Sequence, residues 1–309
     1  MTKYLLCRPQ GGLNDLLSQI EKCCRYAEQT ERTVVVDTNY AGSIHFNDHF
    51  ENYFISRQDK LLLSPKDLNR TVDELSVFPE FLLARVNRYV PRQNPETHKF
   101  CDSENNLPIT FDFTKNYPHQ LLVHHQAGGS RNSIFALSRM QVQSAIADEL
   151  QRRIKAIGGP YSAIHIRHTD YRTDYEQALA NIKRSTVGRL FVATDNRQVL
   201  EDFHACLGYE RVFSFSALPQ TAGEPIHTQA LSEAKTFARN QDAIIDLLML
   251  ALSRRLYLLK LRDNHLGTKA SGFSRLAHNL WSSNNNGDGA RFIVGLRPEW
   301  HSLEDPSID

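Results

Sequence analysis

Residues 4–37 read YLLCRPQGGLNDLLSQIEKCCRYAEQTERTVVVD, and this stretch decides the fold. Tyr4-Leu5-Leu6-Cys7 is a short apolar run that Gly11-Gly12 interrupts. Leu13, Leu16, Leu17, Ile20, Cys24 and Ala27 then recur at helical spacing, and Glu21, Lys22, Arg25 and Glu28 fall on the opposite face. Thr33-Val34-Val35-Val36 is β-branched and stops at Asp37, as a buried parallel strand does. The chain therefore opens as a βαβ unit with glycines at the strand-to-helix turn.

The same alternation returns after Gly158-Gly159-Pro160. Strands are predicted at Ala163–Ile166, Leu190–Ala193, Val212–Phe215 and Leu256–Leu261, with helices from Arg197 to Leu207, through Gln241 to Ser253, and from Phe273 to Trp281. Phe292–Val294 reads as a last strand. Upstream, Leu121-Leu122-Val123 is a strand and Ser138 to Ile157 a single long helix, ended by the glycines. Residues 40 to 120 show no regular period, and Asn94 to Asn106 reads as a polar loop. Strands separated by helices imply parallel sheets covered on both faces. The expected architecture is α/β, two facing Rossmann-like domains, 1–157 and 158–309.

The 309 residues carry 36 basic and 35 acidic side chains, so no charge surplus points to nucleic acid. Five scattered cysteines form no C-x-x-C pair, which argues against a zinc site or a disulfide framework and suits a reducing compartment. The apolar start is short and cut by Arg8, and the apolar run Ile244–Leu252 contains Asp246. Neither reads as a signal peptide or a membrane span, and the expectation is a cytoplasmic protein. No G-x-x-x-x-G-K-[ST], G-x-S-x-G or D-x-D occurs, which sets aside a P-loop NTPase, an α/β-hydrolase and the usual carboxylate pair for a metal–diphosphate complex. His124-His125 invites a metal reading, but neighbours on a strand point to opposite faces.

Ligands of open parallel sheets gather at the carboxyl ends of the strands, and several polar clusters fall there. Gly11, Gly12 and Asn14 follow the first strand, where backbone amides can meet a phosphate; the alternative is a plain turn with Asn14 or Asp15 as the helix cap. His165-Ile166-Arg167-His168-Thr169-Asp170 leaves the Ala163 strand. Arg167 there can clamp a pyrophosphate with two parallel hydrogen bonds, or simply pair with Asp170. Asp195 follows the Leu190 strand and is either a ligand group or a helix cap. Asp246 sits in a segment that is apolar nearly all round, so its carboxylate needs a partner in the protein or in a ligand. Ser271, Gly272, Phe273 and Ser274 precede the last long helix, where small hydroxyl residues suit an anion or an ordinary cap.

Taken in order, these segments resemble the fucosyltransferase superfamily of α1,6- and protein O-fucosyltransferases, most of all its rhizobial nodulation branch. The likeness covers Gly11 to about Ser43, His165-Ile166-Arg167-His168, Phe191 to Asp195, Pro225-Ile226-His227, Ala243 to Ala251 and Ser271–Arg275. It implies a GT-B fold with the donor site in the C-terminal half and the acceptor side in the N-terminal half. It also implies GDP-fucose as donor, a glycan hydroxyl as acceptor, inversion, and no metal or other cofactor. Carried over, Gly11, Gly12 and Asn14 lie near the diphosphate, Arg167 binds it, His165 and Asp246 contact guanine, and Ser271 and its neighbours hold phosphate. A glutamate that some relatives use as base falls at Tyr175, which leaves Asp170, Asp174 and Glu176 as candidates. No stem or anchor of the Golgi kind is seen, in line with a bacterial glycan pathway. A donor other than GDP-fucose, or a non-catalytic nucleotide or glycan binder, is the alternative.

Overall fold

The computed structural model describes residues 2–40, 45–67, 72–185, 188–218, 232–262, 270–284 and 289–295. Pro225-Ile226-His227 and Ser43 lie outside them. The chain divides into two compact units, Met1–Gln141 and Val142–Asp309.

In the first unit the opening segment folds as read: β1 (Lys3–Cys7), α1 (Leu13–Thr30) and β2 (Arg32–Val36). Leu5, Leu6, Val34, Val35 and Val36 are buried on both faces of the sheet, which is why the two strands are nearly continuous apolar runs. Short strands follow: β3 (Phe54–Ser56), β4 (Leu61–Leu62), β5 (Val77–Phe78), β6 (Pro91–Gln93) and β7 (Phe100–Asp102), then β8 (Leu121–His124). The main sheet has the order β4-β2-β1-β8-β5 and every pairing in it is parallel. One face of α1 departs from expectation. Glu21 is buried, its carboxylate gripped by Arg25 (2.7 Å) and Arg139 (2.7 Å), so the helix tucks one anion under two cations rather than exposing it.

The single helix expected over Ser138 to Ile157 is three elements: α2 (Ser133–Ser138), β9 (Met140–Val142) and α3 (Ser144–Ile157). Arg139 ends α2 because its side chain is drawn to Glu21 and Glu28 on α1, and Met140 and Val142 then bury alternately, as a strand does. The divide between units thus falls at Gln141/Val142, not at Ile157/Gly158. Helix α3 belongs with the second unit because Arg153 on it is tied to Asp242 further along that unit. Gly158 still closes α3 in the left-handed conformation, φ 78°.

The second unit contains β10 (Tyr161–Ile166), α4 (Tyr175–Ser185), β11 (Arg189–Thr194), α5 (Arg197–Leu207), β12 (Val212–Phe213), α6 (Glu233–Ala251), β13 (Arg255–Tyr257), α7 (Gly272–Asn284) and α8 (Gly289–Val294). The last of these corrects the expected strand at Phe292–Val294. Ala290, Ile293 and Val294 bury together at helical spacing. The sheet order is β12-β11-β10-β13, all parallel. Strand order reverses between β10 and β13, so a switch point opens beside the carboxyl end of β10. Ile164, Ile166, Leu190, Val192, Val199, Phe203 and Val212 pack one face of this sheet. Both sheets are therefore parallel and helix-flanked, as expected of the α/β class.

Candidate active site

His165 is the fifth residue of β10 and Arg167 the first beyond it, so both lie at the switch point. His165 Nδ1 is 2.6 Å from Ser274 Oγ, and the ring packs on Phe273 at 4.8 Å between centroids. Ser274 is itself fixed. Its N–H donates to Ser271 Oγ (3.1 Å) and the two hydroxyls are 2.9 Å apart, which joins the start of α7 to the end of β10. Burial, with the Arg167 charge nearby, pushes the His165 pKa down to about 3. A neutral imidazole with Nδ1 engaged leaves Nε2 for a ligand.

Arg167 holds Asp170 through two parallel bonds, Nε to Oδ1 at 2.7 Å and Nη2 to Oδ2 at 2.6 Å. The pair is partly exposed, 25% and 30%. The loop carrying it is braced from below. Asp195 Oδ1 accepts from the His168 N–H (2.7 Å) and Oδ2 from the Thr169 hydroxyl (2.7 Å), while the Thr173 hydroxyl donates to the Arg167 carbonyl (2.6 Å). Asp195 therefore does not cap α5. Asn196 does, accepting from the Val199 N–H at 3.3 Å.

Asp246 lies on α6 and is buried. Ser216, just past β12, donates to its Oδ2 at 2.8 Å, whereas Oδ1 has no hydrogen bond. Burial raises its pKa from the usual carboxylate range to about 7, against the pull of Ser216 and of Arg153, whose Nη1 is 3.9 Å away. Arg153 and Ser216 are additions that the sequence reading did not make. A signal for Arg153 was present: it shares the buried stripe of α3 with Leu150, Ile154 and Ile157.

The candidate bases separate. Asp170 is held by Arg167, Asp174 faces Arg262 (3.3 Å), and Glu176 is exposed in the first turn of α4. Tyr175 is buried and donates to Asp202 (2.7 Å). In the first unit, Gly12 precedes α1 and its N–H donates to Asp15 Oδ2 (3.2 Å), while Gly11 takes φ 105°, a conformation glycine adopts freely. Asn14 is buried and accepts from the Ser133 hydroxyl at 2.7 Å, with Gly129 against it so closely that a Cβ there would lie 2.2 Å from Asn14 Nδ2. Arg8 is buried too, bonded to Asp37 (2.8 Å) and stacked 3.7 Å over Tyr40. His124 and His125 diverge as expected. The first contacts Gln19 and Thr110, the second Tyr89, and no group of metal-ligating side chains forms among the described residues.

No family model and no curated protein sequence matches the chain. Solved structures do. Fucosyltransferase NodZ from Bradyrhizobium aligns with TM-score 0.58 and 16% identity, over 90% of this chain and 93% of that one. NodZ alpha-1,6-fucosyltransferase soaked with GDP-fucose gives TM-score 0.58 and 16% identity over 91% and 93%. POFUT1 in complex with GDP gives TM-score 0.52 and 12% identity over 96% and 97%. Likeness of this extent, spanning both parallel sheets, shows that the chain has the GT-B fold of these fucosyltransferases.

Proposed function

We propose that the protein is an inverting glycosyltransferase that moves fucose from GDP-fucose to a glycan hydroxyl without a metal. The observation that carries this reading is a guanidinium fork and a neutral histidine at the carboxyl edge of the second sheet, on a fold shared with NodZ and POFUT1 structures bound to GDP or GDP-fucose. A buried, half-satisfied carboxylate, Asp246, lies on α6 of the same unit. Such groups match a diphosphate and a base carrying N–H donors.

Breaking the anomeric C–O bond builds negative charge on the leaving diphosphate. Arg167 would take that charge with two N–H donors, aided by the amides that open α7 after Ser271. His165 and Asp246 would face guanine, and Asp195 would hold the Arg167 loop in place. A carboxylate among Asp170, Asp174 and Glu176 would receive the acceptor proton as the acceptor oxygen attacks. The N-terminal unit would carry the acceptor and the C-terminal unit the donor.

One observation favours a non-catalytic binder: the Arg167 fork is already occupied by Asp170. Magnitude decides against it. A partly exposed ion pair contributes about 0–1 kcal/mol, and a diphosphate offers the fork more charge than one carboxylate does. The test is incubation with GDP-fucose, other GDP-sugars and UDP-sugars, scored for slow hydrolysis. GDP-fucose should turn over fastest, and GDP should raise the melting temperature saturably, more than UDP or ADP. Equal shifts with all three nucleotides would sink the guanine assignment.

A further inference from the structure

Two buried polar atoms lie side by side without hydrogen bonds where α3 meets α6: Arg153 Nη1 and Asp246 Oδ1, 3.9 Å apart. The other polar atoms of both side chains are committed. Arg153 Nε donates to Glu149 (2.8 Å) and Nη2 to Asp242, and Asp246 Oδ2 accepts from Ser216. Asp242 in turn accepts from the Ala217 N–H at 3.2 Å, so the segment after β12 is pinned against both acids. The Phe215 ring lies 5.8 Å from the guanidinium and is half-buried. The result is a fixed donor next to a fixed acceptor, both about nine-tenths buried, with an aromatic face beside them.

Folding leaves such atoms bare only at a cost, because a buried group without a partner forfeits its hydration. A bare N–H beside a bare carboxylate oxygen complements a ligand edge that presents an acceptor next to a donor. Guanine has that edge in its O6 and N1–H. Adenine has the opposite order, an amine beside an unprotonated ring nitrogen. We propose that Arg153 is a specificity-determining residue of the donor site, its free Nη1–H donating to guanine O6 while Asp246 Oδ1 accepts from N1–H. This rests on the GDP-sugar reading above and adds to it the residue that reads the 6-oxo group.

The test uses the unaltered chain and three nucleotides measured by calorimetry. Inosine diphosphate keeps O6 and N1–H and lacks the 2-amine; 2-aminopurine riboside diphosphate keeps the amine and lacks the other two. Inosine diphosphate should bind within about fivefold of GDP, and the 2-aminopurine nucleotide about fiftyfold or more weaker, since it leaves both buried groups unpaired. Equal or reversed losses would overturn the proposal. Arg153→Met adds a second arm. It should weaken GDP and inosine diphosphate alike by about tenfold or more and leave the 2-aminopurine nucleotide unchanged, and an unaltered gap between GDP and the 2-aminopurine nucleotide in this variant would also overturn the proposal. Should the variant not fold, the analogue series on the unaltered chain decides alone. Absence of GDP binding by the unaltered chain would instead remove the donor reading itself.

Discussion

Arg167 and Asp170 grip one another through two parallel hydrogen bonds on the loop leaving β10, while Asp195 fixes that loop from the next strand. The fork is thus aimed before any ligand arrives. Replacing Arg167 by lysine keeps the charge and removes the fork. Turnover should fall about 10²–10³-fold, the scale of losing one charge-stabilising donor in a protease. Stability should change by only about 0.5 kcal/mol, as for a surface substitution. Turnover number and melting temperature measured together check this; an active, equally stable lysine variant removes Arg167 from the mechanism.

Acid should weaken the fold through its buried histidines. Burial holds His124 and His165 at pKa values of about 3, against an ordinary 6.5. The unfolded chain takes up these protons below about pH 6.5 and the folded chain does not, so their stability is present above that pH and lost as it falls toward 3. Urea midpoints from pH 7 to pH 4 should drop, and His165→Gln should flatten the slope by the equivalent of one proton. An unchanged slope in that variant would show that His165 titrates normally.

Asp246 works in the other direction. Its pKa is raised to about 7, so between the ordinary carboxylate range and pH 7 the folded chain holds a proton that the unfolded chain has released. Stability from this group therefore declines as the pH rises through that window and is flat above it. Asp246→Asn should be more stable than the parent at pH 8 and little different near pH 4, while its GDP binding is lost. Denaturant melts at the two pH values measure the difference, and a variant less stable at pH 8 contradicts it.

Chelation should leave activity intact. With Arg167 in the charge-neutralising role, turnover of GDP-fucose is expected to persist in excess EDTA. Loss in EDTA with return on adding manganese would show that the diphosphate is met by a metal.

The sequence was most legible where elements are long enough to repeat their pattern. Strands β1 and β2 and helix α5 stand within a residue of their expected bounds, because apolar runs and turn residues mark both ends. Strands β4 and β5 are two residues each and β3 three, too short for a period to show, which is why residues 40 to 120 stayed opaque. The break between α2 and β9 carries neither glycine nor proline. It depends on Arg139 reaching Glu21 across more than a hundred residues, which no local window contains. At the site, His165, Arg167 and Asp246 were visible as polar residues at a strand end or in apolar company. Arg153 was passed over despite its place in the apolar stripe of α3, since an arginine among other charges on a helix reads as solvent-facing until the acids that surround it are placed.

The strand order of the second sheet also bears on how the chain is made. Ser162 of β10 pairs with Arg255 of β13, so β10 leaves the ribosome long before its second neighbour exists. During that interval its β13-facing edge is an unpaired, apolar strand of the kind that other chains can add to. A chain halted before Arg255 should aggregate rather than accumulate as a folded fragment, and it would lack the Ser274 hydroxyl that engages His165.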